Sequence, residues 1–94
     1  MHIDDFIWLP SIIEKLSIKH HVYQDEVEEI FFDRPQYRFV ESGYQSGEDV
    51  YSACGQTDSG RYLIVIFINK PGNTALIITA RDMDKKERRK YERK

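Results

Sequence analysis

A chain of 94 residues makes one small domain, 1–94, large enough for a modest core and marginal in stability unless a partner covers apolar surface. The net charge of −2 conceals an asymmetry: residues 1–80 carry six Lys/Arg against twelve Asp/Glu, and Arg81–Lys94 carries eight against four, so a basic tail follows an acidic body. The lone Cys54 excludes an internal disulfide and a Cys-based zinc site, no run approaches the roughly 18 apolar residues that cross a bilayer, and no basic-then-apolar leader is present; the expectation is a soluble, cytoplasmic protein.

In chain order, Met1–Ile7 reads as a short strand or an extended arm ending at Trp8. Pro10 suits the first position of a helix, and Ile12, Ile13 and Leu16 follow at helical spacing, which predicts a short amphipathic helix over Pro10–Ile18. The Lys19-His20-His21 turn breaks that pattern. A second helix, Gln24–Phe32, carries Val27, Ile30 and Phe31 on one face and acids in its first turns, where they complement the helix dipole; Asp33-Arg34-Pro35 stops it.

Strands follow at Tyr37–Glu41 and Asp49–Gln56, separated by the polar loop Ser42–Gly47, and Asp58-Ser59-Gly60 turns the chain into Arg61. Tyr62–Ile68 and Leu76–Thr79, with turn chemistry at Lys70-Pro71-Gly72-Asn73, read as a hairpin that is apolar on both faces. Its register has two readings. A five-residue loop sets Arg61 opposite Arg81, a like-charge pair that a bound anion would relieve; a two-residue loop sets Arg61 opposite Asp82 in an ordinary ion pair. After Asp82 or Asp84 as cap, Lys85–Lys94 forms a helix that is polar nearly all round apart from Tyr91, so it docks weakly, lies on a partner or frays. The fold class is α+β: two N-terminal helices, about four antiparallel strands and a C-terminal helix. The second face of the sheet needs a further cover, from the termini, a dimer or another partner.

No P-loop, dinucleotide fingerprint, metal-binding helix or nucleophile elbow occurs. Adjacent His20 and His21 diverge too far to share a metal, so no metal or cofactor is assigned. What remains is a set of cations and hydrogen-bonding groups, Lys19, His20, His21, Arg61, Arg81, Arg88, Arg89 and Tyr91. Such a set lacks a protein nucleophile, yet it suits RNA, whose own 2′-hydroxyl attacks the adjacent phosphate. The protein then has to position the strand, neutralise the phosphorane and manage two protons. The competing reading is a non-catalytic RNA- or protein-binding module that uses the basic C-terminal helix.

Motifs along nearly the whole chain resemble the BrnT family. They are Phe6-Ile7-Trp8 with Pro10, Lys19-His20-His21-Val22, Asp25-Glu26-Val27, Ile30-Phe31, Asp33-x-Pro35, Gly47-Glu48-Asp49, the Gly55 strand, Gly60-Arg61-Tyr62-Leu63-Ile64-Val65, Ile77-Ile78-Thr79-Ala80-Arg81 and Glu87-Arg88-Arg89-x-Tyr91-Glu92. The resemblance implies the toxin half of a bacterial type II toxin-antitoxin pair, a fold similar to the RelE ribonucleases, and a metal-independent endoribonuclease. It implies a ribbon-helix-helix antitoxin as partner, operator DNA contacted only through that antitoxin, and a homodimer or toxin-antitoxin hetero-oligomer. It also tips the register toward a shared anion site, with Arg61 and Arg81 as phosphate binders, Lys19 and His20 as proton handlers, and Arg88, Arg89 and Tyr91 holding RNA. Glu48 falls at the far end of its strand, roughly 25 Å from Arg61, and reads as structural or solvated. The chain departs from the family pattern at His21, where glycine is usual, at Leu9, where an acid is usual, and at Gln24, near which an aromatic is usual. A positive φ at position 21 would strain the histidine.

Overall fold

The computed structural model describes Met1–Gln45 and Gly47–Arg93. Ser46, in the expected Ser42–Gly47 loop, and Lys94, the expected end of the last helix, lie outside the described residues. The chain runs β1 (Asp5–Ile7), α1 (Pro10–Lys15), a π-helical turn (Leu16–His20), α2 (Gln24–Phe32), β2 (Gln36–Glu41), β3 (Val50–Gln56), β4 (Tyr62–Lys70), β5 (Thr74–Asp82) and α3 (Lys85–Glu92). The class is α+β, with a five-stranded sheet ordered β1-β5-β4-β3-β2.

That sheet corrects the expectation of four antiparallel strands. β2 to β5 form the antiparallel meander, and β1 adds on the open side of β5 in parallel, with Asp5 opposite Thr74 and Ile7 opposite Leu76. Three residues carry no readable period; β1 forms because the edge of β5 offers unpaired backbone donors and acceptors. The first helix also differs from Pro10–Ile18, because α1 loosens after Lys15 into the π-helical turn, which carries the helical path to His20.

Strict alternation builds the core. Leu63, Val65 and Phe67 of β4, Ala75 and Ile77 of β5 and Ala53 of β3 are fully buried beneath Leu16, Val22, Val27 and Ile30. β3 approaches α2 so closely that a Cβ on Gly55 would lie 2.8 Å from Cβ of Ile30. Gly55→Ala is therefore expected to force this contact apart at a cost of about 1–3 kcal/mol, read as a lowered midpoint in thermal or denaturant unfolding.

The hairpin adopts neither expected register. Lys70 faces Thr74 across the loop Pro71-Gly72-Asn73, in which Gly72 and Asn73 have φ of 83° and 56°. Beyond the Phe67–Ile77 pair a bulge inserts Ile78, so Ile66 faces Thr79, Ile64 faces Arg81 and Leu63 faces Asp82. One extra residue exchanges the faces of everything after it. Ala80 and Asp82 thus continue the helix-covered face begun by Ala75 and Ile77, and Arg81 turns to the opposite face.

α3 lies on that opposite face and contributes no fully buried residue. It docks through Tyr62, whose ring meets Tyr91 edge-on at 6.0 Å and carries the Arg88 guanidinium 3.9 Å above its centroid. Gln36 Nε2 donates to the Tyr91 carbonyl at 3.0 Å. Aromatic and cation–π contacts replace the missing apolar stripe. Among the described residues no helix is long and apolar enough to cross a membrane.

Candidate functional site

Arg61 stands at the entry to β4 and reaches over the helix-covered face. Its Nε donates to Asp82 Oδ1 at 2.7 Å and Nη2 to Asp82 Oδ2 at 3.2 Å. Nη1 donates to the His21 carbonyl at 2.6 Å and to Glu26 at 3.1 Å, and Nη2 donates to the His20 carbonyl at 3.0 Å. All five N–H donors of the guanidinium are thereby engaged. Glu26 also accepts the backbone N–H of Tyr23 at 3.1 Å, which ties the start of α2 to the same centre.

The physical reason for this convergence is the end of the π-helical turn. Its last carbonyls lack intrahelical partners, and a rigid cationic fork satisfies two of them at once while complementing the negative helix end. The fork in turn needs counter-charge, which Glu26 and Asp82 supply. The hydrogen bonds from Arg61, the largest influence, hold the Asp82 carboxyl below its ordinary range against the opposing effect of burial, with smaller help from the Arg61 and His20 charges.

His21 closes the turn at φ 54°, ψ 40°, the left-handed conformation that glycine adopts without strain. His21→Gly is expected to stabilise the fold by about 1 kcal/mol, raising the melting temperature by roughly 4–8 °C in thermal unfolding. Lys19 is exposed and His20 half-buried on the last helical positions before it.

Arg81 does not join Arg61. The Ile78 bulge puts the two side chains on opposite faces, and Asp82 turns toward Arg61 rather than away, so the shared anion site at one end of the hairpin is not formed. The Arg61–Asp82 ion pair does occur, though by a register in which Asp82 lies opposite Leu63. Arg81 forks onto Glu87 of α3, with Nη1 at 2.7 Å and Nη2 at 2.9 Å from its two oxygens. Glu87 also accepts the Asp84 N–H at 2.9 Å, and Asp84 accepts the Glu87 N–H at 2.7 Å, a reciprocal cap that starts α3. The Arg81 hydrogen bonds, foremost, hold the Glu87 carboxyl low against burial.

Of the remaining residues singled out in the sequence, Arg88 is stacked on Tyr62 and paired with Glu92 at 3.9 Å, Tyr91 packs against Tyr62, and Arg89 is exposed. Glu48 forms an ion pair with Lys70, at the end of the sheet away from Arg61. Cys54 is buried in β3, and burial pushes its thiol pKa up. Among the described residues no group of three or more His, Cys, Asp or Glu side chains is arranged to hold a metal ion. Glu26 and Glu87 are the partners that sequence reasoning missed. Each appeared there only as a helix-start acid or a motif letter, and nothing local distinguishes an acid that caps from one that also holds an arginine.

The fold and site define a small α+β domain whose carboxylates are engaged in fixing two arginines and whose terminal helix carries cations toward solvent. Residues 11–87 match the family model described as "Ribonuclease toxin, BrnT, of type II toxin-antitoxin system". The chain belongs to that family, which makes it a ribonuclease toxin with an antitoxin partner. No curated protein matches it.

Proposed function

We propose that this protein is an endoribonuclease that cleaves RNA without a metal ion and is silenced by a cognate ribbon-helix-helix antitoxin. The 2′-oxygen of the substrate attacks the adjacent phosphorus, its proton passes to a protein base, and the bond to the 5′-oxygen breaks as that oxygen gains a proton. The products carry a 2′,3′-cyclic phosphate and a 5′-hydroxyl. The observation that carries the reading is the Arg61 centre, because it locks the backbone of His20 and His21 with two charge-assisted hydrogen bonds and so fixes where Lys19 and His20 can act.

In this reading Arg61 is a positioning residue, since its donors are already engaged. His20 moves the protons, and Lys19 supplies positive charge beside the phosphorane. Arg81, on the opposite face of the sheet, is the ligand of a neighbouring phosphate of the strand and not of the reacting one, and Glu87 holds its fork ready until that phosphate displaces the carboxylate. Arg89, aided by Arg88 and Tyr91, holds the strand. Kinship to the RelE ribonucleases, translation arrest and operator binding through the antitoxin belong to the same inference.

The test is cleavage of an RNA by the purified protein in EDTA, with end-group analysis of the fragments. Cyclic phosphate ends formed in chelator, and abolished by an equimolar amount of antitoxin, are the expected result. Loss of cleavage in EDTA, or full activity in Arg81→Ala, overturns the mechanism. RNA binding without any cleavage assigns the chain to the non-catalytic binding class instead.

A further inference from the structure

Cations in this structure fall into two groups. Arg61, Arg81, Lys70 and Arg88 are held by carboxylates. Nine have no side-chain hydrogen bond or ion pair with any described residue and are exposed; Lys15, Lys19, Arg34 and Lys85 lie apart from the grooves described below, whereas Arg38, Lys86, Arg89, Lys90 and Arg93 line them. Those five lie together. Gln36, Tyr37 and Arg38 of β2 face Lys90 and Arg93 across an open groove, and Lys86, Arg89, Lys90 and Arg93 line its continuation along α3. Deeper in, Gln36, Arg38 and Lys90 share a cleft with Ser52 and with Glu87, the residue that holds Arg81. The charge of these five therefore runs as one track from Arg93 to the Arg81–Glu87 pair.

We infer that the groove between β2 and α3 is the track for the RNA backbone, with Arg38, Lys90 and Arg93 as phosphate contacts in addition to Arg89. This rests on the nuclease reading, which makes RNA the substrate. Like charges are crowded here, and the carboxylate that lines the cleft, Glu87, is already held by Arg81, an arrangement that repels itself until a polyanion enters. Lys86, Lys90 and Arg93 recur at about one per helical turn, a rise of roughly 5.4 Å, so an extended strand along α3 meets a cation at each turn. A protein partner would need aromatic or aliphatic anchors at the centre; the outer groove offers none, because the Tyr37 ring packs against Phe31 and Phe67 on the other face, and Cys54, Ile64 and Tyr91 line only the narrower cleft beneath it. Gln36 and Ser52 on its floor are polar groups beside which bases can lie. Arg38 is the residue least visible beforehand, since it stands in a strand about fifty positions from the basic tail.

The experiment uses the full chain and a single-stranded 2′-O-methyl RNA, which keeps every phosphate and lacks the attacking hydroxyl, so binding is read without cleavage. Anisotropy titrations at several salt concentrations compare wild type with Arg38→Gln/Lys90→Gln and with Lys15→Gln/Arg34→Gln, which removes the same charge from exposed sites outside the groove. The groove variant is expected to bind on the order of tenfold more weakly at low salt, and its slope of log K against log salt is expected to fall by about 1.4. The control variant stays within about twofold of wild type. Equal losses in the two variants, an unchanged groove variant, or a wild type that does not bind the probe each overturn the inference. So does a groove variant that loses antitoxin and keeps RNA, which assigns the face to the protein partner. Wild-type binding with normal groove dependence but no cleavage of ordinary RNA removes the nuclease reading and leaves the groove supported. Thermal unfolding of both variants matches wild type, because every altered side chain is exposed.

Discussion

Arg61→Ala is expected to unfold at a temperature on the order of 10–20 °C below wild type, a loss of about 2–3 kcal/mol. The substitution leaves two carbonyls at the end of the π-helical turn without donors and sets Glu26 and Asp82 free of their counter-charge. Asp82 is 62 % exposed and contributes little by itself; the larger part comes from the His20 and His21 carbonyls and from Glu26, whose side chain is 20 % exposed. Arg61→Lys does not restore the loss, because an ammonium cannot place five donors in one plane. The pH dependence has a definite sign. Asp82 has a lowered folded-state pKa, so its contribution is complete above the unfolded value of about 3.9 and is lost as pH falls through the folded one. The gap between wild type and variant therefore narrows in acid. A melting temperature unchanged by Arg61→Ala at neutral pH would refute the role given to this centre.

The proposed proton transfers predict the second large effect, a fall of about 10²–10⁴ in the single-turnover cleavage rate of His20→Ala. Stability should hardly move, because Arg61 grips the backbone carbonyl of residue 20 and not its imidazole. This separates the two residues experimentally. His20→Ala loses rate at a wild-type melting temperature, whereas Arg61→Ala loses both rate and melting temperature. Unaltered cleavage by His20→Ala removes the residue from the mechanism and shifts the proton chemistry to Lys19 or to another group.

Much of the architecture was legible because short-range physics writes it. The 3.6-residue period of Val27, Ile30 and Phe31 and the alternation of Leu63, Val65 and Phe67 put the apolar groups where α2 and β4 bury them. Pro10 and Asp84 mark helix starts, and the composition of 81–94 marks a cationic helix. His21 was recognisable as strained once its position was seen to need a positive φ. The family motifs, spread over most of the chain, carried the class of protein. Met1–Ile7 could be read as a strand or an extended arm but not placed in the sheet, because the pairing of β1 comes from the edge of β5 and not from its own three residues.

The site was less legible, and the two arginines show why. Sequence alone determined that Arg61 and Arg81 stand at the ends of one hairpin, that Asp82 is within reach of Arg61, and that the tail is basic. Tertiary structure decided the rest. A single bulged residue, Ile78, changed the parity of the last four positions of β5 and sent the two guanidinium groups to opposite faces. Arg61 found partners at His20, His21 and Glu26, some 35 to 41 positions away, and Arg38 met Lys90 only because α3 folds back over β2. Local pattern encodes which face a residue takes relative to its neighbours. It does not encode where a strand slips by one residue, nor which distant carbonyls need a donor, because both are settled by packing the whole sheet against its helices.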